Sequence, residues 1–350
     1  MNRRRETTLR PARLDPRTLA TGLAAALALL VSPLSPAMAL DHVKVAVLSS
    51  LPGSAPILVA EAKGYFRDAG LEVELVHFDA AQAVTIAVAT GDIDFGSTGL
   101  NAAFFTLAHD GILKILGSGN SEYKGFQGLG YITSNQAYDS GLRRFEDLPG
   151  HSVAITQIGS ALHYALALVL KKHGVDLAAV RLLPLQSNPN IASAITGNQA
   201  DAAVLSGGNI YALVNKGNAH LLAWYSDELS ESAGNATYTS TKDANERPDA
   251  VKHFLAAFRK GAATWDAAFI DASGVRADQP SAPEIVAIAA KGLGQPEPVI
   301  RLGLTYFDPQ IRISVKDIQS SLDWYYAQGM LKSPMDARAM VDFRYAIDAK

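Results

Sequence analysis

The stretch DHVKVAVLSSLPGSAPILVAEAKGYFRDAGLEVELVHF, residues 41–78, decides the fold. Its opening, from Val43 to Leu48, alternates and is rich in β-branched residues, as a half-covered strand is. SSLPGS then reads as a turn, and from Ala55 to Ala69 apolar residues recur at helical spacing. Gly70 closes that helix as a C-cap, and LEVELVHF is a second strand. Strand, helix, strand predicts a right-handed crossover and a parallel sheet, hence an α/β fold. The next stretch, AAQAVTIAVATGDIDFGSTGLNAAFFTLAHDG (80–111), extends it. It predicts a helix over 80–89 stopped by Gly91, a short buried strand over 93–96, a turn at STG and a helix over 100–109. ILKILGSG adds a strand.

The same order recurs downstream. GHSVAITQIGSALHYALALVLKKHGV (150–175) repeats strand, Gly-Ser turn, helix and glycine stop. VRLLPLQSNPNIASAITGNQADAAVLSGGN (180–209) matches the stretch from LEVELVHF to the second turn. The landmarks keep near-constant offsets: Ser54 to Ser160 is 106 residues, Gly70 to Gly174 is 104, Gly91 to Gly197 is 106 and Ser97 to Ser206 is 109. Four landmarks in order, with matching elements between them, imply two lobes of similar architecture. A strand over 236–241 follows, then a helix over 251–269 entered through Pro248 and a helix in SAPEIVAIAAKGLG. A last helix in 315–331 places Ile318, Leu322, Tyr325 and Tyr326 on one core-facing stripe. The lobes connect near YITSN (131–135) and YSDELSESAGN (225–235). If the 236–241 strand returns to the first sheet, the chain crosses twice and makes a hinge over a cleft. The expected division is a leader over 1–39, a first lobe over 40–132 and again over 231–350, and a second lobe over 133–230.

The leader is set apart by composition. Arg3, Arg4, Arg5, Arg10, Arg13 and Arg17 precede LATGLAAALALLV, an apolar run of 13 residues, too short to span a bilayer. SPLSPAMA then ends in the small-x-small pattern Ala37-Met38-Ala39. This is the form of a secretory signal peptide, cleaved after about Ala39, and it predicts export to the periplasm. The arginine triplet leaves both general and twin-arginine export open. Without the leader the chain has 25 Lys+Arg against 32 Asp+Glu, a net charge of −7. An acidic exported chain without a basic cluster is a poor ligand for nucleic acids or anionic membranes. At 48% hydrophobic residues it buries a substantial core. With no cysteine, disulfides, thiolate nucleophiles and cysteine metal sites are excluded.

Four turns stand between strand ends and helix starts: SSLPGSAP (49–56), GSTGLN (96–101), TQIGSALH (156–163) and LSGGN (205–209). In open α/β sheets ligands bind outside the carboxyl ends of strands, where helix N-termini present free N–H groups. Two such turns per lobe, facing across a cleft, enclose a small solute. Ser160 reads as a helix N-cap, a role compatible with ligand contact, and Gln157 shares its turn. His163 lies three residues on and is expected, with Gln157, to line the cleft as a ligand contact; the G-x-S-x-G elbow of a serine nucleophile is absent. The eight histidines are scattered without metal-ligand spacing, and no phosphate loop follows a strand. Tyr123, Phe126, Tyr131, Tyr211, Trp224 and Tyr238 are expected mostly in the core, with Tyr123 and Tyr238 near the hinge and within reach of the cleft.

At PILVAEAKGYFRDAGLEVELVHF, AVATGDIDFGSTGLNAAFF, FEDLPGHSVAITQIGSALHYALALVLKKHGV and AITGNQADAAVLSGGNIYAL the sequence resembles a known family. It is similar to the substrate-binding proteins of ABC importers of the nitrate/sulfonate/taurine type, which include binders of thiamine-pyrimidine precursors. The resemblance covers almost all of 42–331. It implies a two-lobed, type II-like periplasmic-binding-protein fold with a mixed, mainly parallel sheet in each lobe. It further implies a monomer without cofactor or metal that closes on a small solute and docks on permease membrane subunits. Carried over by position, the ligand contacts would be Ser50, Gly53 and Ser54; Ser97 and Thr98, with Asn101 closing that turn; Gly159 and Ser160; and Ser206 and Asn209. LSGGNIY stands where relatives often carry an aromatic or acidic W-D-P-Y-like segment. The cleft is therefore expected to be roomier and less charged there, which disfavours taurine. No arginine falls in the four turns, so an anion would rely on N–H groups and hydroxyls, and a neutral or aromatic solute is equally open. An enzyme on the same scaffold is the competing expectation. The resemblance implies a cysteine for desulfinase chemistry, which is absent, and an intracellular, histidine-rich site for pyrimidine synthesis.

Overall fold

A computed structural model describes residues 40–48, 54–123, 125–229 and 234–349; the leader and the turn residues Ser50 and Gly53 lie outside them. The strands are β1 (Asp41–Leu48), β2 (Leu71–Phe78), β3 (Phe95–Gly99), β4 (Leu113–Ser118), β5 (Asn120–Ser121), β6 (Leu129–Ser134), β7 (Ser152–Ile155), β8 (Arg181–Pro184), β9 (Ala202–Ser206), β10 (Ala219–Trp224), β11 (Asn235–Ser240) and β12 (Tyr306–Phe307). They form two five-stranded sheets, ordered β2-β1-β3-β11-β4 and β10-β6-β9-β7-β8, and a two-stranded ribbon of β5 and β12. From its other end the second sheet runs β8-β7-β9-β6-β10, so the two sheets share one plan. In each, three strands are parallel (β2, β1 and β3; β8, β7 and β9) and the fourth position is antiparallel. That antiparallel strand comes from the other half of the chain: β11 returns to the first sheet, and β6 enters the second before β7. The double crossing expected from the sequence is thus built into both sheets.

Periodicity explains the packing. On β1, Val43, Val45 and Val47 face one core cluster while Ala46 and Leu48 face another, so helices cover both faces of the sheet. On β7, Val153 and Ile155 face one cluster and Ala154 the opposite one. The helix Pro248–Phe269, of 22 residues, carries the core of the first lobe, with Phe254 stacked at 4.0 Å on Phe95 and at 5.7 Å on Phe66. It lies close against the helix Ala55–Ala62 because Gly261 has no side chain to overlap the Pro56 carbonyl.

Several boundaries differ from expectation. The helix expected over 55–69 is two, Ala55–Ala62 and Tyr65–Asp68, because Gly64 adopts a left-handed φ of +76°. The STG expected as a turn is the end of β3: Ser97, Thr98 and Gly99 pair with β11, and Asn101 starts the helix Ala102–His109. The lobe boundary expected at 132/133 falls inside β6, which lies whole in the second sheet, so the first crossing precedes Leu129. In the helix Val315–Ala327, Ile318, Leu322 and Tyr325 are buried, whereas Tyr326 is exposed, one residue past the stripe. Among the described residues no helix is long and apolar enough to cross a membrane.

Candidate functional site: a cavity between the two sheets

The carboxyl ends of the parallel strands in both lobes converge on one cavity of about 120 Å³. Leu48, Asp79 and Gly99 reach it from the ends of β1, β2 and β3, Thr156 and Asn188 from beyond β7 and β8, and Ser206 from the end of β9. Asn120, Glu122 and Gly128, in the first crossing, close one side, and Thr305 and Asn235 complete the wall. The described residues lining it include two carboxylates, Asp79 and Glu122, and no Lys, Arg or His.

Of the residues singled out from the sequence, Asn101, Gln157, Ser160 and Ser206 line this cavity. Asn101 caps the helix Ala102–His109, its Oδ1 accepting from Phe104 N at 3.0 Å and its Nδ2 donating to Thr85 at 3.3 Å. Ser160 caps the helix Ala161–Lys172, its Oγ accepting from His163 N at 3.3 Å. Ser206 Oγ accepts from Asn209 Nδ2 at 2.8 Å, and Gln157 donates to Gln186 at 3.2 Å. Asn209 itself lines a neighbouring recess, shared with Asp79, rather than the central cavity.

The other positions hold the walls in place from behind. Ser54 is buried, its Oγ accepting from Leu48 N at 3.3 Å. Ser97 accepts from the Thr237 hydroxyl at 3.1 Å. Thr98 shares a 3.0 Å hydrogen bond with Tyr238, which is wholly buried and whose phenol burial pushes up to about 12. Tyr238 therefore faces the core of the first lobe instead of the cleft. Tyr123 is exposed and stacks on Tyr306 at 4.6 Å, away from the cavity wall. Gly159, at φ +78°, ties the lobes together: its carbonyl accepts from Ala102 N at 3.0 Å.

His163 is the clearest change of role. Its Nδ1 accepts from Gly159 N at 3.1 Å, and its ring packs edge-on against Trp324 at 5.0 Å. Burial lowers its pKa to about 4, which keeps the ring neutral. Its link to Ser160 runs through its own backbone N–H, so the geometry is a helix cap and not a nucleophile with its base. The sequence reading passed over Glu122, Asn188 and Thr305, which all line the cavity. The available signal was a carboxylate in SEYKG, within a connection between lobes, where a solvated side chain is the ordinary expectation. Burial pushes the Glu122 carboxyl up to about 8.

The architecture has known counterparts. The family model described as NMT1/THI5 like matches residues 51–267, more than half of the chain. No relative is found among curated protein sequences. The alkanesulfonate-binding protein SsuA of Xanthomonas axonopodis pv. citri, solved with bound MOPS, is similar at a TM-score of 0.69 and 20% identity, over 86% of this chain and 98% of that one. The periplasmic nitrate-binding protein NrtA of Synechocystis PCC 6803 is similar at 0.68 and 16%, over 89% and 86%. The desulfurization enzyme DSZB shares the fold at 0.60 and 13%, over 88% and 97%. At these identities the solved structures establish the fold alone, two-lobed and of the periplasmic-binding-protein kind. Together with the family match, they show that this chain belongs to the NMT1/THI5-like family.

Proposed function

We propose that this protein is an extracytoplasmic solute-binding receptor of an ABC importer. In this reading it encloses a small solute between its lobes and presents it to a permease. The observation that carries the reading is the cavity itself, ringed by the carboxyl ends of parallel strands from both sheets. The ligand contacts we assign are Asn101, Gln157, Ser160 and Ser206 from the turns, with Glu122, Asn188 and Thr305. The lobes hinge about the connections that precede β6 and β11. In this arrangement the Ala102–Gly159 hydrogen bond and the Tyr325 hydroxyl, which donates to the Ser160 carbonyl at 3.0 Å, hold the closed form. Trp324, packed on His163 at 5.0 Å and on Tyr164 at 5.3 Å, sits at this junction and reports on it.

The competing reading, an enzyme, is supported by the shared fold of DSZB. Against it stand the lack of cysteine and the engagement of Ser160 and His163 in helix capping. Native mass spectrometry of the purified protein, with scattering and the fluorescence of a variant keeping Trp324 alone (Trp224→Phe, Trp265→Phe) before and after removal of bound solute, tests the proposal. A co-purifying small molecule whose removal expands the protein and shifts the emission is expected. A solute-free protein with one fixed shape, or turnover of the captured compound, overturns the receptor reading. Sequencing the N-terminus of the exported protein tests removal of the leader near Ala39.

A further inference from the structure

We propose that the solute carries a protonated nitrogen with N–H donors, an ammonium or amidinium group, and that Glu122 is its counter-charge. The inference rests on the receptor reading above and adds the chemical class of the solute. Buried polar groups in folded proteins almost always have partners, and those that lack one mark places where something else supplies it. Three such atoms belong to residues that line this one cavity: Glu122 Oε2, Asn188 Oδ1 and Thr305 Oγ1. They come from three separate parts of the chain, the first crossing, the start of the helix Asn188–Thr196 and the segment before β12. Gly128 lets two of them share one corner. A side chain there would meet Thr305 Cγ2 at 2.7 Å and Glu122 Oε1 at 3.5 Å.

A donor serves all three: the Asn188 amide oxygen only accepts, the Thr305 hydroxyl accepts as readily as it donates, and the Glu122 carboxyl accepts outright once its proton is given up. Asp79, exposed at the mouth, adds a second negative charge, and no described lining residue carries a positive one. An anion placed here would find no cation among the described lining residues, whereas a cationic nitrogen draws the proton from the Glu122 carboxyl and pairs with the carboxylate that remains. Burial holds the carboxyl protonated; Asp79 lies at the mouth, and the Tyr131 phenol, which donates to the Ala165 carbonyl, is near enough to feel the charge of Glu122. A bound cation restores the charged form. A cavity of about 120 Å³ accommodates a group about the size of benzene.

Calorimetry with matched probes tests this on the full exported protein, freed of co-purified solute. One set is butylammonium, butanol and butanesulfonate; the other is benzylammonium, benzyl alcohol and phenylmethanesulfonate. Binding of the ammonium members is expected, with little or none of the alcohols and sulfonates. Glu122→Gln should weaken ammonium binding about tenfold or more. Thr305→Val, which keeps shape and removes one acceptor, should weaken it less. Circular dichroism and unfolding midpoints establish that both variants fold. Sulfonate or alcohol binding that Glu122→Gln leaves unchanged overturns the cation assignment while sparing the receptor reading. Silence of the ammonium probes also overturns it. The receptor reading is judged separately, by the co-purified solute and lobe closure.

Discussion

Replacing Glu122 by Gln removes a titrating group from a buried wall, and the consequence for stability depends on pH. Burial raises its pKa from 4.5 to about 8, so the folded protein holds a proton that the unfolded chain has released. A raised carboxyl pKa contributes stability in full below 4.5 and loses it as pH rises through 8. At about 1.4 kcal/mol per pH unit, the wild type loses about 3 kcal/mol from this group by pH 7 and about 5 kcal/mol by pH 9. His163 slopes the other way. Its pKa falls from 6.5 to about 4, so its contribution is full above 6.5 and is lost as pH falls through 4, about 3 kcal/mol in all. Between pH 4.5 and 6.5 the two slopes oppose, and the wild type is expected to be nearly flat from these groups. Buried Asp266, raised from 3.8 to about 7, also slopes against His163, so Glu122→Gln should gain stability relative to the wild type as pH rises from 4.5 to 8 and keep that difference to pH 9. Urea unfolding at half-unit steps from pH 4.5 to 9, on both proteins, measures this directly. Stability curves that stay parallel within about 0.5 kcal/mol across the range would refute the buried, unpaired state of Glu122.

Three further outcomes follow from local geometry. Tyr325→Phe leaves the buried Ser160 carbonyl without its hydroxyl donor, which costs about 1 kcal/mol. It should shift the lobes toward the open form, seen as a larger radius by scattering at fixed subsaturating solute. Asn101→Ala removes the cap on Phe104 N and should cost about 1 kcal/mol in the unfolding midpoint. Faster amide hydrogen exchange should be confined to the first turn of the helix Ala102–His109. Gly207→Ala would drive a methyl group into the Gln127 backbone carbonyl, which has no rotamer to escape through. A loss of about 3 kcal/mol or more, or failure to fold, is expected from chemical denaturation.

The strand–helix alternation was legible because each element is written locally. Val43 to Leu48 alternates, Gly91 and Gly174 end helices at φ +82° and +68°, and Ser160 caps the next helix with its own side chain. The internal repeat was legible from the same landmarks, and the shared order of the two sheets has it as its counterpart. Gly64 was misread because apolar spacing continues across it, and only its positive φ shows the break. The STG segment was misread because small polar residues favour turns locally, whereas pairing with β11, distant in sequence, holds Ser97 to Gly99 extended. Tyr238 was drawn toward the cleft by its position near the hinge. Its phenol instead finds Thr85 and Thr98 inside the first lobe.

By itself the sequence determined the α/β class and the duplicated plan, since period, caps and glycine stops act over a few residues. Tertiary structure alone decided that β6 lies whole in the second sheet, which of the turn residues reach the cavity, and that Glu122 is buried there. The reason is physical: a carboxylate in a polar connection looks solvated until both lobes close around it. Desolvation comes from residues up to 183 positions away, such as Thr305, and no local pattern records it.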